Sequence, residues 1–125
     1  MDGDFDIKVE DCGDYCRMTM RGPYLTADGG GQHERIARLA SESGHLRFLL
    51  DVRGVGPRAS IPEVFEYVVR HYPPRPDNRR TATLDLPENM VSARFFEHLM
   101  QNKGQTYRLF MDEAEAIDWL LSDEA

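Results

Sequence analysis

The chain has 125 residues, a net charge of −7, 41% hydrophobic and 30% charged residues. That length suits one domain with its own core, and the composition excludes a disordered chain and a disulfide scaffold. The negative charge disfavours nucleic acid and anionic membranes as partners, and no apolar run is long enough to span a bilayer.

Met1-Asp2-Gly3-Asp4-Phe5-Asp6 is acidic, without the basic start and apolar stretch of a secretory signal, so a cytoplasmic location is expected. Phe5, Ile7 and Val9 alternate with Asp6, Lys8 and Glu10, the period of a half-buried strand. Asp11 to Asp14 reads as a turn, and Cys16, Met18 and Met20 alternate with Arg17, Thr19 and Arg21 in a second strand. The two strands predict an antiparallel hairpin ended by Gly22-Pro23. Cys12 and Cys16 flank the turn. They are too few for a zinc site, and in a reducing compartment Cys16 is expected free in the core, although a disulfide between them is conceivable from their spacing.

Thr26 is a candidate cap for a helix to about Ser43, with Gly44 past its end. Ile36, Leu39 and Ala40 mark its buried side, and Glu34, Arg35, Arg38 and Glu42 its wet side. Leu46 to Val52 is nearly continuous in apolar residues, which predicts a central strand covered on both faces. A glycine-rich loop is expected next. Ser60 and Glu63 then form a capping box with Pro62 in the first turn. Ile61, Val64, Phe65, Val68 and Val69 fall at helical spacing.

Tyr72 to Asn78 is a loop by composition. Around it Arg70, His71, Arg75, Arg79 and Arg80 form a basic cluster, read as a solvated loop, with a phosphate, an acidic partner or a lipid headgroup as the functional alternative. Thr81 to Leu86 reads as a strand and Pro87 as the start of the next helix, whose apolar face holds Phe95, Phe96, Leu99 and Met100. Any excess of that face over one buried side would form a homodimer seam or line an apolar pocket. Gly104 ends the helix, Thr106 to Phe110 is the last strand, and Asp112 with Glu115 caps a terminal helix through Ile117, Trp119, Leu120 and Leu121.

The predicted order is β-β-α-β-α-β-α-β-α. It implies a mixed, mostly parallel sheet with an N-terminal antiparallel hairpin and helices packed on it, a single α/β domain over residues 1–125. Three stretches carry a family resemblance. They are Arg21-Gly22-Pro23-Tyr24-Leu25-Thr26 leading into a helix, the apolar strand that closes on Asp51-Val52-Arg53, and the closing Ala116, Trp119 and Leu120 of an Ala-x-x-Trp-Leu pattern. Between Asp6 and Leu121 the chain resembles the SpoIIAA-like family, which shares the STAS fold of anti-sigma-factor antagonists and is compared with the Sec14 lipid-binding fold. The resemblance implies a non-catalytic regulatory or binding module acting on a protein or a small ligand. In phosphorylation-controlled STAS proteins a serine opens the helix after the central strand. Ser60 stands at the corresponding place, without the preceding acidic residue or the following glycine.

Gly54-Val55-Gly56-Pro57-Arg58-Ala59 matches G-x-G-x-x-A between a strand and a helix, the setting of a dinucleotide fingerprint. The acidic partner expected about 20 residues on would fall in the proline-rich loop, so a βα loop is the plainer reading and no cofactor is assigned. Ligands of open parallel sheets bind beyond the carboxyl ends of the strands. Asp51, Arg53, Gly54, Gly56, Arg58 and Ser60 are therefore the candidate ligand or anion site. The competing reading has Asp51 as a loop cap and the arginines solvated. His33, His45, His71 and His98 show no metal spacing, and no catalytic set is legible. Three functions follow in order: a binding module, a binder of lipid-like molecules beside Phe95 and Phe96, and a small nucleotide- or anion-using enzyme at the Gly54–Gly56 loop.

Overall fold

The computed structural model describes residues 5–23, 29–56, 60–70 and 78–122, with backbone alone for residues 29–33, 64, 67 and 70. The elements are β1 (Asp6–Asp11), β2 (Cys16–Gly22), α1 (Gly29–Ser43), β3 (Arg47–Val55), α2 (Ile61–Arg70), β4 (Arg80–Leu84), a 3₁₀ turn (Pro87–Asn89), α3 (Met90–Asn102), β5 (Thr106–Phe110) and α4 (Glu113–Leu121). The five strands form one sheet in the order β1-β2-β3-β4-β5. β1 and β2 are antiparallel, and every later pairing is parallel. The mixed α/β architecture read from the sequence is the one observed.

Crossovers of one hand between sequential parallel strands place their helices on one side of the sheet. Cys16, Met18, Met20, Phe48 and Val55 face α1, where they bury Ala40 and pack against Ile36 and Leu39. Farther along the same face, Tyr107 packs with Val68 of α2 and Met100 of α3, flanked by Phe96 and Leu99. There the Thr83 hydroxyl donates to the Tyr107 hydroxyl at 2.7 Å. Among the described residues, α4 is the one helix on the opposite face. Ala116 and Leu120 close over Leu49, Ala82 and Leu84.

A helix is about 10 Å across and strands are about 4.8 Å apart, so α4 covers roughly two strands. This explains the alternation of the hairpin. Arg17, Thr19 and Arg21, like Lys8 and Glu10 opposite them, lie on the α4 face but beyond the two strands that α4 covers, where its first turn reaches Arg17 through Glu113. Gly13 takes φ +88° in the hairpin turn, where its N–H is accepted by the Asp11 carboxylate at 2.9 Å. His45 Nε2 meets the same carboxylate at 3.0 Å, tying the turn to the end of α1. Gly44 takes φ +77° just past that helix, as expected of a C-terminal glycine.

Several boundaries differ from the sequence reading. β3 begins at Arg47, with Leu46 exposed, and runs on to Val55, because Gly54 and Val55 pair with Arg21 and Gly22. Leu86 precedes a 3₁₀ turn, and α3 starts only at Met90. The Asp85 carboxylate bends the chain there, accepting from Leu86 N–H at 2.7 Å and Asn89 Nδ2 at 3.2 Å. Both cysteines are free. Cys16 belongs to the α1-side core, whereas Cys12 contacts Tyr15, which packs on the α4 side; a disulfide between them is not formed. The proposed Thr26 cap and the proline-rich stretch lie outside the described residues.

Candidate functional site

α4 sits on β3 with its chain direction reversed, so its two ends meet opposite ends of that strand. At its C-terminus the last carbonyls lack helical partners. The Arg47 guanidinium donates to Leu120 O at 2.9 Å, and Arg80 donates to Ser122 O. Arg80 also stacks on Trp119, 4.4 Å from the ring centroid, and Trp119 meets Phe110 at 5.6 Å. The closing Ala116, Trp119 and Leu120 pattern is thus the underside of α4. Arg79 and Arg80 are buried, Arg79 over the Phe48 ring at 5.0 Å. This corrects their reading as part of a solvated basic loop: their long apolar stems fill the core and their planar heads lie on aromatic faces. The Arg70 side chain, His71 and Arg75 lie outside the described side chains.

At the N-terminus Asp112 caps α4 by accepting from Glu115 N–H at 3.0 Å. One residue on, Glu113 reaches back over the sheet to a cluster centred on Asp51. The buried Asp51 carboxylate accepts from Arg17 Nη2 and Arg53 Nη2, each at 2.8 Å, from Arg53 Nε at 3.0 Å and from Arg53 N–H at 3.2 Å. Glu113 accepts from Arg17 Nη1 at 3.0 Å and lies 3.4 Å from Arg53 Nη2. Two guanidiniums and two carboxylates thus balance in charge. Burial pushes the Asp51 carboxyl up, but the hydrogen bonds and charge of Arg53 and the charge of Arg17 outweigh it, so its pKa lies below the ordinary value. Burial lowers the Arg17 pKa, yet Glu113 and Asp51 leave it raised. Arg53 is raised chiefly by its hydrogen bond to Asp51.

Local backbone geometry creates this arrangement. Between the pairs Thr19–Asp51 and Arg21–Gly54, β3 spends one more residue than β2. Asp51 and Arg53 share a face by the ordinary two-residue alternation of a strand; such a bulge re-aims side chains, and here it turns Val55 to the α1 face. Gly54 then lies against β2, where a Cβ would sit 2.6 Å from Arg21 Cγ and 3.3 Å from Met20 O. Gly54 is therefore a strand residue chosen for close approach. It does not form the tight βα turn that a dinucleotide fingerprint requires, which corrects the loop expected there.

The structure joins Asp51 and Arg53 but adds two partners that the sequence reading missed, Arg17 and Glu113. Ser60 instead opens α2. Its hydroxyl accepts from Glu63 N–H at 3.3 Å while the Glu63 carboxylate accepts from Ser60 N–H at 2.9 Å. The predicted capping box is present, and it already engages the hydroxyl. Gly56 donates its N–H to Gly22 O at 3.1 Å, and Arg58 lies outside the described residues. Chemically, the Asp51 cluster works as a clamp that holds α4. An incoming anion would have to displace Glu113 from both arginines.

α2 departs most from expectation. Of its predicted apolar stripe Val68 is buried, while Ile61, Phe65 and Val69 are 37%, 51% and 57% exposed; the Val64 side chain is not described. These three residues, spaced by four, form an apolar ridge on the helix surface. Glu66 is exposed on the flank of this ridge, whereas Glu63, also exposed, lies on the other side of the helix, turned to Ser60 N–H.

Among the described residues, no three His, Cys, Asp or Glu side chains converge as a metal site, and no helix is long and apolar enough to cross a membrane. No family model matches the chain, and no curated protein matches it in sequence. Solved structures share its fold, two of them as follows. One is an anti-sigma factor antagonist from Mycobacterium paratuberculosis, with TM-score 0.66 and 12% identity, covering 96% of this chain and 97% of the other. The second is an uncharacterized protein of the DUF3478 family with a SpoIIAA-like fold from Shewanella loihica PV-4, with TM-score 0.53 and 18% identity, covering 93% of each chain. The chain therefore has the SpoIIAA-like, STAS-type fold that its sequence resembles.

Proposed function

We propose that this SpoIIAA-like chain is a non-catalytic regulatory module that binds a protein partner through α2. The observation that carries the proposal is the exposed ridge of Ile61, Phe65 and Val69. Holding a phenylalanine half in water leaves apolar area unburied at about 25 cal/mol per Å², and a clustered apolar patch marks a contact surface more often than scattered single residues do. Glu66 on its flank, in a chain of net charge −7, favours a partner whose apolar groove has a basic rim. It disfavours a second copy on this helix, where acidic flanks would meet.

The enzymatic alternative is weaker, because Asp51 and Arg53 are engaged in ion pairs that anchor α4. A lipid-like ligand is also less well supported. Beside α3, Phe96 packs edge-on against Tyr107 at 5.6 Å, and Val68, Leu99 and Met100 join them.

The fold likeness to an anti-sigma factor antagonist makes anti-sigma factors the first partner class to test. Purified anti-sigma factors of the source organism are titrated by calorimetry with the wild-type protein and with Phe65→Asp. The proposal expects binding by the wild type and a loss of about tenfold or more in the variant, with an unchanged circular dichroism spectrum. Absence of wild-type binding rejects the partner class. Equal affinity in the variant rejects α2 as the contact.

A further inference from the structure

The two edges of the sheet differ. On β5, Glu97 Oε2 accepts from Leu109 N–H at 2.8 Å, and Gln101 Nε2 donates to Tyr107 O at 2.9 Å. Tyr107 and Leu109 are the residues whose backbone groups point away from β4. Two α3 side chains, one helical turn apart, therefore take the place of a sixth strand. An edge covered in this way resists pairing with another chain.

β1 has no such cover among the described residues. The bond from Cys12 N–H to Tyr15 O sets the phase of the β1–β2 ladder. Asp6, Lys8 and Glu10 turn their backbone groups toward β2, so Ile7, Val9 and Asp11 turn theirs outward. No loop or turn segment among the described residues makes a backbone hydrogen bond to those three. Val9 is 41% exposed.

We propose that β1 pairs antiparallel with β1 of a second copy of this chain, about a two-fold axis through Val9. Charge selects this occupant and its register. Outward residues must face outward residues, so the register moves only in steps that centre on successive residues of β1. Centred on Val9, Lys8 faces Glu10 of the second copy, and the symmetry repeats that pair. Ile7 faces Asp11. Centred on Lys8, lysine faces lysine and Asp6 faces Glu10. Centred on Glu10, glutamate faces glutamate. Like charges directly opposite destabilise a strand pair, and opposite charges stabilise it. Centring on Ile7 would pair Lys8 with Asp6 but draws on Phe5, which precedes β1 and whose carbonyl already takes one hydrogen bond, from Arg35 Nη1 at 3.1 Å.

In the Val9-centred register Lys8 and Glu10 meet on the α4 face, beyond the strands that α4 covers, and the valines meet on the α1 face, matching the alternation of β1. The product is a continuous ten-stranded sheet with an isologous interface. Within one chain Lys8 Nζ is 3.9 Å from Glu10 Oε2, a long exposed contact that the intermolecular pair can replace. A ladder this short is small for a protein interface and works against the net charge of each copy, so association is weak.

Sedimentation equilibrium tests it, from about 10 μM to about 1 mM chain, the range where contacts of a few kcal/mol register. The wild-type mass should rise from 14.4 kDa toward twice that value with concentration. Val9→Pro should stay monomeric with an unchanged circular dichroism spectrum, because the Val9 N–H lies outside the β1–β2 ladder and proline is tolerated on such an edge. Lys8→Glu alone and Glu10→Lys alone should each weaken association by about tenfold, through two repulsive pairs. An equimolar mixture of these two variants should associate as tightly as the wild type, since both cross-pairs become opposite in sign. A wild type that stays at 14.4 kDa throughout overturns the proposal. So does a folded Val9→Pro that associates as the wild type does, or a mixture no tighter than its components.

Discussion

Replacing Asp51 with asparagine removes the charge around which the α4 clamp is built. The carboxylate accepts four hydrogen bonds from two arginines, two of them at 2.8 Å. Asparagine keeps one acceptor oxygen and turns an NH₂ toward a guanidinium. Breaking a fully buried ion pair by removing one partner costs about 3–5 kcal/mol. The side chains of Arg17 and Arg53 are 18% and 40% exposed, so both recover some hydration, and both keep Glu113. The expected loss is therefore about 2–3 kcal/mol. In a chain of this size that lowers Tm by roughly 6–12 °C. Urea unfolding monitored by circular dichroism and Trp119 fluorescence measures the loss. Glu113→Gln is the control: at 44% exposure its pairs are worth about 0.5–1 kcal/mol. The double variant should cost less than the sum of the two, because both carboxylates share the same arginines. An Asp51→Asn protein within about 0.5 kcal/mol of wild type would refute the clamp, as would a Glu113→Gln protein that loses as much.

The same clamp gives a pH dependence of definite sign. The Asp51 pKa is lowered in the folded protein, so its stabilisation is complete above about pH 5, where the unfolded carboxyl is also ionised. It is lost as the pH falls through the ordinary carboxylate value toward the lowered folded one. The urea midpoints of wild type and Asp51→Asn should differ by a constant amount from about pH 6 to pH 8 and converge below about pH 4. A gap that widens in acid contradicts the assignment. At the other edge of the sheet, Glu97→Ala leaves the Leu109 N–H without its acceptor and should cost about 1–3 kcal/mol. Hydrogen exchange at Leu109 should quicken, and unchanged protection there would mean that α3 does not guard β5.

Much of the fold was legible in the sequence because local patterns and tertiary packing agree. The alternation of Cys16, Met18 and Met20 with Arg17, Thr19 and Arg21 foretold a hairpin with one wet face, and Cys16, Met18 and Met20 are buried in the core. The unbroken apolar run of the third strand foretold two covered faces, and Phe48 and Leu49 point into different core clusters. The site was legible only in part. Asp51 and Arg53 stand two residues apart on one strand, so their pairing is a local event. Arg17 and Glu113 looked like an ordinary wet-face residue and an ordinary first-turn acid, and nothing local marks them as partners across 96 residues.

Period and punctuation in the sequence determined the element types, their order, the mixed sheet and the caps of α2 and α4, because each depends on residues within a turn or two of one another. Tertiary structure decided that α4 packs on the face opposite the other described helices, that Arg79 and Arg80 are buried, that Gly54 belongs to a strand, and that most of the apolar stripe on α2 faces water. Those outcomes depend on which surfaces meet, and two helices with the same apolar spacing can be covered or left bare according to what packs against them.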